Sequence, residues 1–303
     1  MSSRNNPISA VQKKRTASTT PKKRTVSSSR PSRAPKKAPV KQHYSMPGWL
    51  RNILAVAIVG CFSMVFYYFF IRPYAYRWKP CNGLKEYGVC IPSGYDIHGI
   101  DISHYQGKID WGRLLQNKQT ATPLHFIFMK ATEGGDHNDT TFQTNFANAR
   151  NHGFIRGAYH FYIPGTDALK QADFFIRTVK LDSGDLPPVL DVEVTGRKEK
   201  KELQQGIKRW LDRIESHYGV KPILYTSYKF KTRYLDDSIF NAYPYWIAHY
   251  YVDSVRYEGK WHFWQHTDVG TVPGIEEEVD LNVFNGTMEE LLELTLKTPC
   301  IER

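Results

Sequence analysis

The sequence lacks three features that would indicate other classes of protein. No Cys or His residues have the spacing of a zinc site, such as C-x-x-C with a His pair, so we predict no metal and no cofactor. No Gly-rich phosphate loop follows the first predicted strand, which argues against an open nucleotide-binding sheet. No Asp or Glu occurs in the first 48 residues. The last absence divides the chain into two very different parts.

The acid-free segment, residues 1–48, carries twelve Lys or Arg, whereas the net charge of the whole chain is +11. The positive charge therefore belongs to this tail. Its Ser, Thr, Pro and Lys runs leave too few apolar side chains to form a core, so we predict that it is disordered. Such a tail can contact anionic lipid or nucleic acid. The next segment favours the lipid, and nucleic-acid binding is the weaker hypothesis.

A run of 19 residues without charge, Ile53 to Ile71, follows the tail. Its length is close to the ~20 residues that cross a bilayer as a helix. Trp49 and the Tyr67-Tyr68 pair lie at its ends, where interfacial aromatic residues are typical, and the basic tail marks the cytoplasmic side. No small-residue cleavage site follows the run, which disfavours a cleaved signal peptide.

These features predict a single-pass protein of the cell membrane with a cytoplasmic N-terminus. The predicted segments are a tail over 1–48, a transmembrane helix over 49–71, a linker over 72–95 and an extracytoplasmic domain over 96–303. Outside the cytoplasm cysteines can oxidise. Cys81 and Cys90 could close a short loop, or either could pair with Cys300; the sequence leaves both open, and it gives no oligomeric state.

The domain after the linker shows short apolar strands, with helical patterns between the first five. This predicts an α/β fold, an irregular (β/α)5(β)3 TIM-like barrel. The predicted strands cover 98–103, 125–132, 156–162, 187–194, 222–227, 243–250, 260–266 and 279–284. Barrel active sites lie at the carboxyl ends of the strands, and we predict that the acids gather there. Because the first and last strands of a closed barrel are neighbours, Asp101 and Asp280 should meet.

The fourth strand is the most informative, since alternation places Asp191 and Glu193 on one face and the Leu and Val side chains on the other. Two confined neighbouring carboxylates do not both ionise easily, so one keeps a proton. An acid and a base then exist at the same pH, which is what glycosidic bond cleavage requires.

Six motifs, in order, resemble the lysozymes of glycoside hydrolase family 25: GIDISHYQG at 99–107, MKATEG at 129–134, GAYHFY at 157–162, LDVE at 190–193, WQH at 264–266 and VDLN at 279–282. The resemblance implies hydrolysis of peptidoglycan glycan strands between N-acetylmuramic acid and N-acetylglucosamine. It implies that Glu193 is the proton donor and that Asp191 assists the reacting acetamido group of the substrate. Asp101 and Asp280 would be the remaining acids of the cleft.

Strand aromatic residues and one amide are predicted to bind sugar, because aromatic faces suit sugar C–H surfaces. These residues are Tyr159, Tyr162, Tyr225, Trp246, Trp264 and Gln265. Strand alternation predicts that about half of them pack in the core instead. Glu133 either assists catalysis or holds Lys130. The alternative function is a catalytically silent peptidoglycan-binding module tethered to the membrane, which the intact set of acids disfavours.

Overall fold

The structure is a computed structural model that describes residues 45–72, 81, 83–250 and 252–297. Two compact units make up the chain, Met1–Val65 and Phe66–Arg303. The predicted disorder of the tail falls largely on residues 1–44, which lie outside the described residues. Most of the first half of the predicted linker, residues 73–80, lies outside them as well, and so does Cys300.

Helix α1, Gly48–Phe66, continues into a π-helical turn over Tyr67–Ile71. Within these 24 residues an 18-residue apolar window has a mean hydropathy of 2.3, and none of that window is buried. By length and composition this helix can cross a membrane, and it lies where the sequence predicted a span.

The described residues after this helix form a barrel with surrounding helices and one small hairpin. The strands are β1 Lys85–Glu86, β2 Val89–Cys90, β3 Ile97–Ile102, β4 Leu124–Glu133, β5 His137–Asn138, β6 Ile155–Phe161, β7 Val189–Asp191, β8 Ile223–Ser227, β9 Tyr245–Ala248, β10 Phe263–Gly270 and β11 Val279–Phe284. The helices are α2 Trp111–Gln116, α3 Phe142–Asn151, α4 Ala168–Thr178, α5 Lys200–Tyr218, α6 Tyr228–Tyr234 and α7 Met288–Leu294.

Eight of these strands close into a barrel in the order β3-β11-β10-β9-β8-β7-β6-β4, and β4 pairs back to β3. Helices α2 to α6 follow the first five barrel strands, and the described residues between β9, β10 and β11 form no helix. The predicted (β/α)5(β)3 barrel is therefore confirmed. Cys81 and Cys90 form a disulfide that closes the β1–β2 hairpin, which is the local pairing of the two that the sequence allowed.

The last strand differs from the others in direction. Strand β11 runs antiparallel to both β10 and β3, whereas the other barrel pairs are parallel. Asp280 is the second residue of β11, so a parallel strand would place it at the wrong end of the barrel. The reversal brings Asp280 to the active end and pairs it directly with Asp101.

Along these strands the inward-facing side chains change from apolar or small to polar. Strand β3 presents Ile97, Gly99 and then Asp101, and β10 presents Phe263 and then Gln265. The apolar members form one buried cluster that fills the lower barrel. Gly99 is required there, because a Cβ atom would lie 2.4 Å from the ring of Phe126. The polar members are left together at the open end of the barrel.

The outer face of the barrel is covered in two ways. Where helices are present, they pack on it through a large buried cluster. Around β9, β10 and β11, where the described residues form no covering helix, aromatic residues from flanking loops pack against outward-facing strand residues such as Ile247, Trp264 and Val283. Strand aromatic residues that face these loops are buried on the outer side of the barrel, and only the inward-facing ones can line the cleft.

Candidate active site

A cavity of about 230 Å³ opens at the carboxyl ends of the parallel strands. All four predicted catalytic acids line it. The lining residues are Asp101, Ile102, Ser103, Tyr105, Gln106, Lys130, Tyr159, Phe161, Asp191, Glu193, Tyr225, Trp246, Tyr250, Gln265 and Asp280. Carboxyl, amide and aromatic groups thus share one cleft, as in a site for a carbohydrate.

The first carboxyl pair lies at the carboxyl end of β7, which is shorter than the predicted strand over 187–194 and ends before Glu193. Asp191 is the last residue of the strand and is buried, and its Oδ1 atom has no hydrogen-bond partner among the described residues. Glu193 lies two residues further on, is exposed at the cleft edge, and has its carboxyl beside the side chains of Tyr225 and Asp191. The pair therefore joins a buried carboxyl to an accessible one.

Burial is the main cause that raises the pKa of both carboxyls in this pair. It raises the pKa of Asp191 well above its ordinary value, and the charge of Glu193 raises it further. Although Glu193 as a residue is exposed, its carboxyl lies against the cleft wall, and this partial desolvation raises its pKa. Because both pKa values are raised and the two groups interact, the pair keeps a proton more readily than two exposed carboxyls would, and its two members titrate together.

A single cation faces this pair from within the cleft lining. Lys130 is buried on β4, its Nζ atom lies 2.6 Å from Oε2 of Glu133, and its charge lowers the pKa of both Asp191 and Glu193. Glu133 is not among the lining residues. Of the two roles considered for Glu133, the geometry favours holding Lys130.

The second carboxyl pair lies where β3 meets β11. Oδ2 of Asp101 accepts hydrogen bonds from Nε2 of Gln265 at 2.8 Å and from Nδ2 of Asn282 at 2.7 Å. Asp101 and Asp280 also share a hydrogen bond. Burial raises the pKa of both acids, and the amide donors oppose this at Asp101. The proton of this pair therefore resides on Asp280, whose O–H group donates a hydrogen bond to the Asp101 carboxylate.

Hydrogen bonds to the oxygen of each amide turn its nitrogen towards Asp101. Nε1 of Trp246 donates to Oδ1 of Asn282 at 2.8 Å, so Nδ2 of Asn282 must turn towards Asp101. The hydroxyl groups of Tyr225 and Tyr250 both donate to Oε1 of Gln265, the first at 2.7 Å. The result is an amide clamp, formed by Gln265 and Asn282, that holds Asp101 in one orientation.

Comparison with known proteins agrees with this geometry. The model of the family "Glycosyl hydrolases family 25" matches residues 100–275. The chain belongs to this family. It is a glycoside hydrolase.

Individual relatives cover most of the folded part. YegX of Escherichia coli (strain K12) is 44% identical over 223 residues, which are 73% of this chain and 80% of YegX. Lysozyme M1 of Streptomyces globisporus is 31% identical over 217 residues, 67% of this chain and 72% of that protein. The crystal structure of the bacterial lysozyme from Streptomyces coelicolor has a TM-score of 0.61 and 32% identity, and it covers 67% of this chain and 98% of that one.

Four of the six residues predicted to bind sugar line the cleft of this family 25 hydrolase: Tyr159, Tyr225, Trp246 and Gln265. The structure places the other two outside it. Tyr162 is buried between the barrel and its helices. Trp264 points outward and donates from Nε1 to the backbone carbonyl of His249. Both lie on the outer face because they alternate with the inward-facing residues Phe161 and Gln265.

Several residues of the site were not predicted from the sequence. Asn282 stands in the VDLN motif two positions after Asp280, so the alternation of β11 could have placed it on the same face. Lys130 stands in the MKATEG motif and was considered only as a partner of Glu133. Tyr105 and Tyr250 lie in segments after strands, where no periodicity indicates the direction of a side chain.

Proposed function

We propose that this protein hydrolyses the β-1,4 bond between N-acetylmuramic acid and N-acetylglucosamine in peptidoglycan. The observation that carries the proposal is the convergence of two carboxyl pairs in one open cleft, where burial raises the pKa of all four acids. The printed name of the Streptomyces globisporus relative, a lysozyme, supports the same substrate class.

In this proposal Glu193 donates a proton to the leaving sugar oxygen. It is the accessible member of its pair, and the raised pKa of its carboxyl favours the protonated form that a general acid needs. After the bond breaks, its carboxylate can remove a proton from the attacking water.

Asp191 assists the acetamido group of the substrate. Its unpartnered Oδ1 atom is suited to accept a hydrogen bond from the acetamido N–H. That bond stabilises ionised Asp191, so the proton shared by the pair moves to Glu193. The acetamido oxygen then attacks the anomeric carbon, the bond to the leaving oxygen breaks, and water opens the cyclic intermediate.

Asp101 and Asp280 act from the opposite wall. The amide clamp fixes Asp101 and favours its ionised form against the effect of burial, and the charge of that form stabilises the positive charge that develops on the sugar ring. Asp280, as the protonated partner, adds no second negative charge and holds the Asp101 carboxylate by its hydrogen bond. Tyr159, Tyr225 and Trp246 line the path of the sugar.

We further propose that α1 anchors the enzyme in the cell membrane with a cytoplasmic N-terminus, and that the basic tail lies on anionic lipid. The apolar helix, the charge asymmetry around it and the Cys81–Cys90 disulfide support this arrangement. A reporter active only outside the cytoplasm should work when it is fused after Arg303 and be silent when it is fused before Trp49. The reverse pattern would contradict the topology.

The reaction is tested with the full-length chain in detergent and purified peptidoglycan. We expect mass spectrometry of the soluble products to find muropeptides with N-acetylmuramic acid at the reducing end. Release of N-acetylglucosamine ends would contradict the bond specificity. Binding to peptidoglycan without any release would favour the silent binding module.

A further inference from the structure

One aromatic side chain of the barrel unit has an exposure that the fold does not explain. Tyr105 is 73% exposed, and within residues 83–250 and 252–297 no other Phe, Tyr or Trp belongs to the exposed class. Its hydroxyl group has no hydrogen bond with the described residues, so the ring contributes nothing evident to the fold. The ring nevertheless lines the cleft.

The backbone that carries this ring is firmly held. The turn His104–Gln106 follows β3 directly and has a capping box. The backbone N–H of Ser103 donates to Oε1 of Gln106 at 2.8 Å, and the N–H of Tyr105 donates to Oγ of Ser103 at 3.3 Å. Nε2 of Gln106 donates to the carbonyl of Glu278 at 3.1 Å, which ties the turn to the segment before β11.

A second set of contacts supports the ring itself. The His104 ring lies against it with centroids 4.2 Å apart. His104 is fixed in turn, because its backbone N–H and its Nδ1 atom each lie 2.8 Å from Oδ2 of buried Asp139. Asp139 also accepts hydrogen bonds from the N–H and hydroxyl of Thr141. The chain therefore immobilises an aromatic ring that it leaves in solvent.

Such a ring is preorganised for a ligand, since little side-chain freedom remains to be lost on binding. The chemistry of the ligand follows from the open face of the ring, which suits the C–H face of a pyranose. Asp101 on β3 is buried at the base of the cleft, whereas Tyr105, four residues further on, stands in solvent at its edge. The ring of Tyr105 therefore faces a part of the glycan that extends beyond the buried acids.

We propose that Tyr105 forms a distal sugar subsite, which stacks on a ring of the N-acetylated glycan strand and gives the enzyme a preference for long strands. This inference rests on the proposed function, because it takes the glycan as the ligand. It assigns to the His104–Gln106 turn a role in recognition that is separate from the four acids.

The test measures binding without turnover, in the full-length chain with Glu193→Gln in detergent. Calorimetry with an eight-sugar and a two-sugar peptidoglycan fragment gives the ratio of the two affinities. Adding Tyr105→Ala should lower that ratio by about three- to tenfold, the range expected for the loss of one aromatic stacking contact. Tyr105→Trp should keep the ratio, and Leu292→Ala, which truncates an exposed apolar side chain on α7, should leave it unchanged.

The outcomes separate the two proposals. An unchanged ratio in the Tyr105→Ala chain would overturn the distal subsite and leave the proposed function standing. An equal loss of affinity for both fragments would also overturn it, since a general disturbance of the cleft affects short and long ligands alike. If the chain with Glu193→Gln alone bound neither fragment, the proposed substrate would be wrong and the subsite would fall with it.

Discussion

The two carboxyl pairs of the cleft have the same chemistry in opposite settings. Asp101 accepts hydrogen bonds from two amides whose own orientations are fixed by Trp246, Tyr225 and Tyr250. Asp191 is buried with one oxygen unpartnered, beside the exposed Glu193. Burial raises the carboxyl pKa values of both pairs. They differ in their hydrogen bonding, in the exposure of Glu193 and in the nearby charge of Lys130.

This difference indicates a division of labour. A carboxylate with its donors in place is held in position and resists a change of protonation. A carboxyl with an open oxygen and an accessible neighbour can pass a proton and accept a ligand. The β3–β11 pair is therefore the fixed charge of the site, and the β7 pair is its proton-transfer unit. The following predictions test that distinction.

The largest effect on activity is expected at Glu193, the exposed member of the pair that follows β7. Glu193→Gln keeps the size of the side chain and removes the transferable proton, so kcat should fall by about 10²–10⁴-fold. Affinity for the glycan should stay within a few-fold. Turnover of peptidoglycan, measured by reducing-end release, checks this, and unchanged turnover would assign the acid to another residue.

At the β3–β11 pair the expected effect is a loss of folding stability. Asn282→Ala removes a donor to Asp101 and leaves Nε1 of Trp246 without its acceptor, both in a buried site. The free energy of unfolding of the barrel should fall by about 1–3 kcal/mol. The control is Asn285→Ala, three residues further on and exposed, which should cost far less. Equal losses in urea unfolding would mean that the clamp carries no special stability.

The distinction between the pairs could be predicted from the sequence only in part. The alternation of β7 predicted that Asp191 and Glu193 share a face, and barrel closure predicted that Asp101 and Asp280 meet. The amide clamp was not predictable, because it depends on side chains from four strands whose register the sequence does not state. The direction of β11 was missed for the same reason.

The aromatic residues show a second limit. Trp264 and Gln265 are adjacent on β10, and alternation says only that they face opposite sides. Which side is the cleft depends on the aromatic loop residues that cover the outer barrel and take Trp264 into their cluster. A sequence pattern cannot show that cover, so Trp264 and Tyr162 resembled sugar-binding residues.

A smaller effect is expected from the cation near the transferring pair. The charge of Lys130 lowers the pKa of both Asp191 and Glu193, so Lys130→Met should raise both pKa values. The bell-shaped dependence of rate on pH should then move as a whole to higher pH. Lys198→Met, which removes a lysine paired with Glu202 outside the cleft lining, is the control and should leave the bell in place. A bell that moves to lower pH in Lys130→Met would contradict the placement of this charge.

The last prediction concerns whether the two β7 carboxyls titrate together. In the native pair the second proton leaves when the neighbouring carboxyl is already charged, and this charge raises the pKa of that second step. For Asp191, burial is the largest cause of the raised pKa and the charge of Glu193 is the next. Asp191→Asn leaves Glu193 to titrate alone, and the alkaline limb of the residual activity should move to lower pH. Asp236→Asn, which removes an exposed carboxylate paired with Lys200, should not move it. An unmoved limb in Asp191→Asn would mean that burial alone keeps Glu193 protonated, and the β7 acids would then be two independent groups and not a proton-sharing pair.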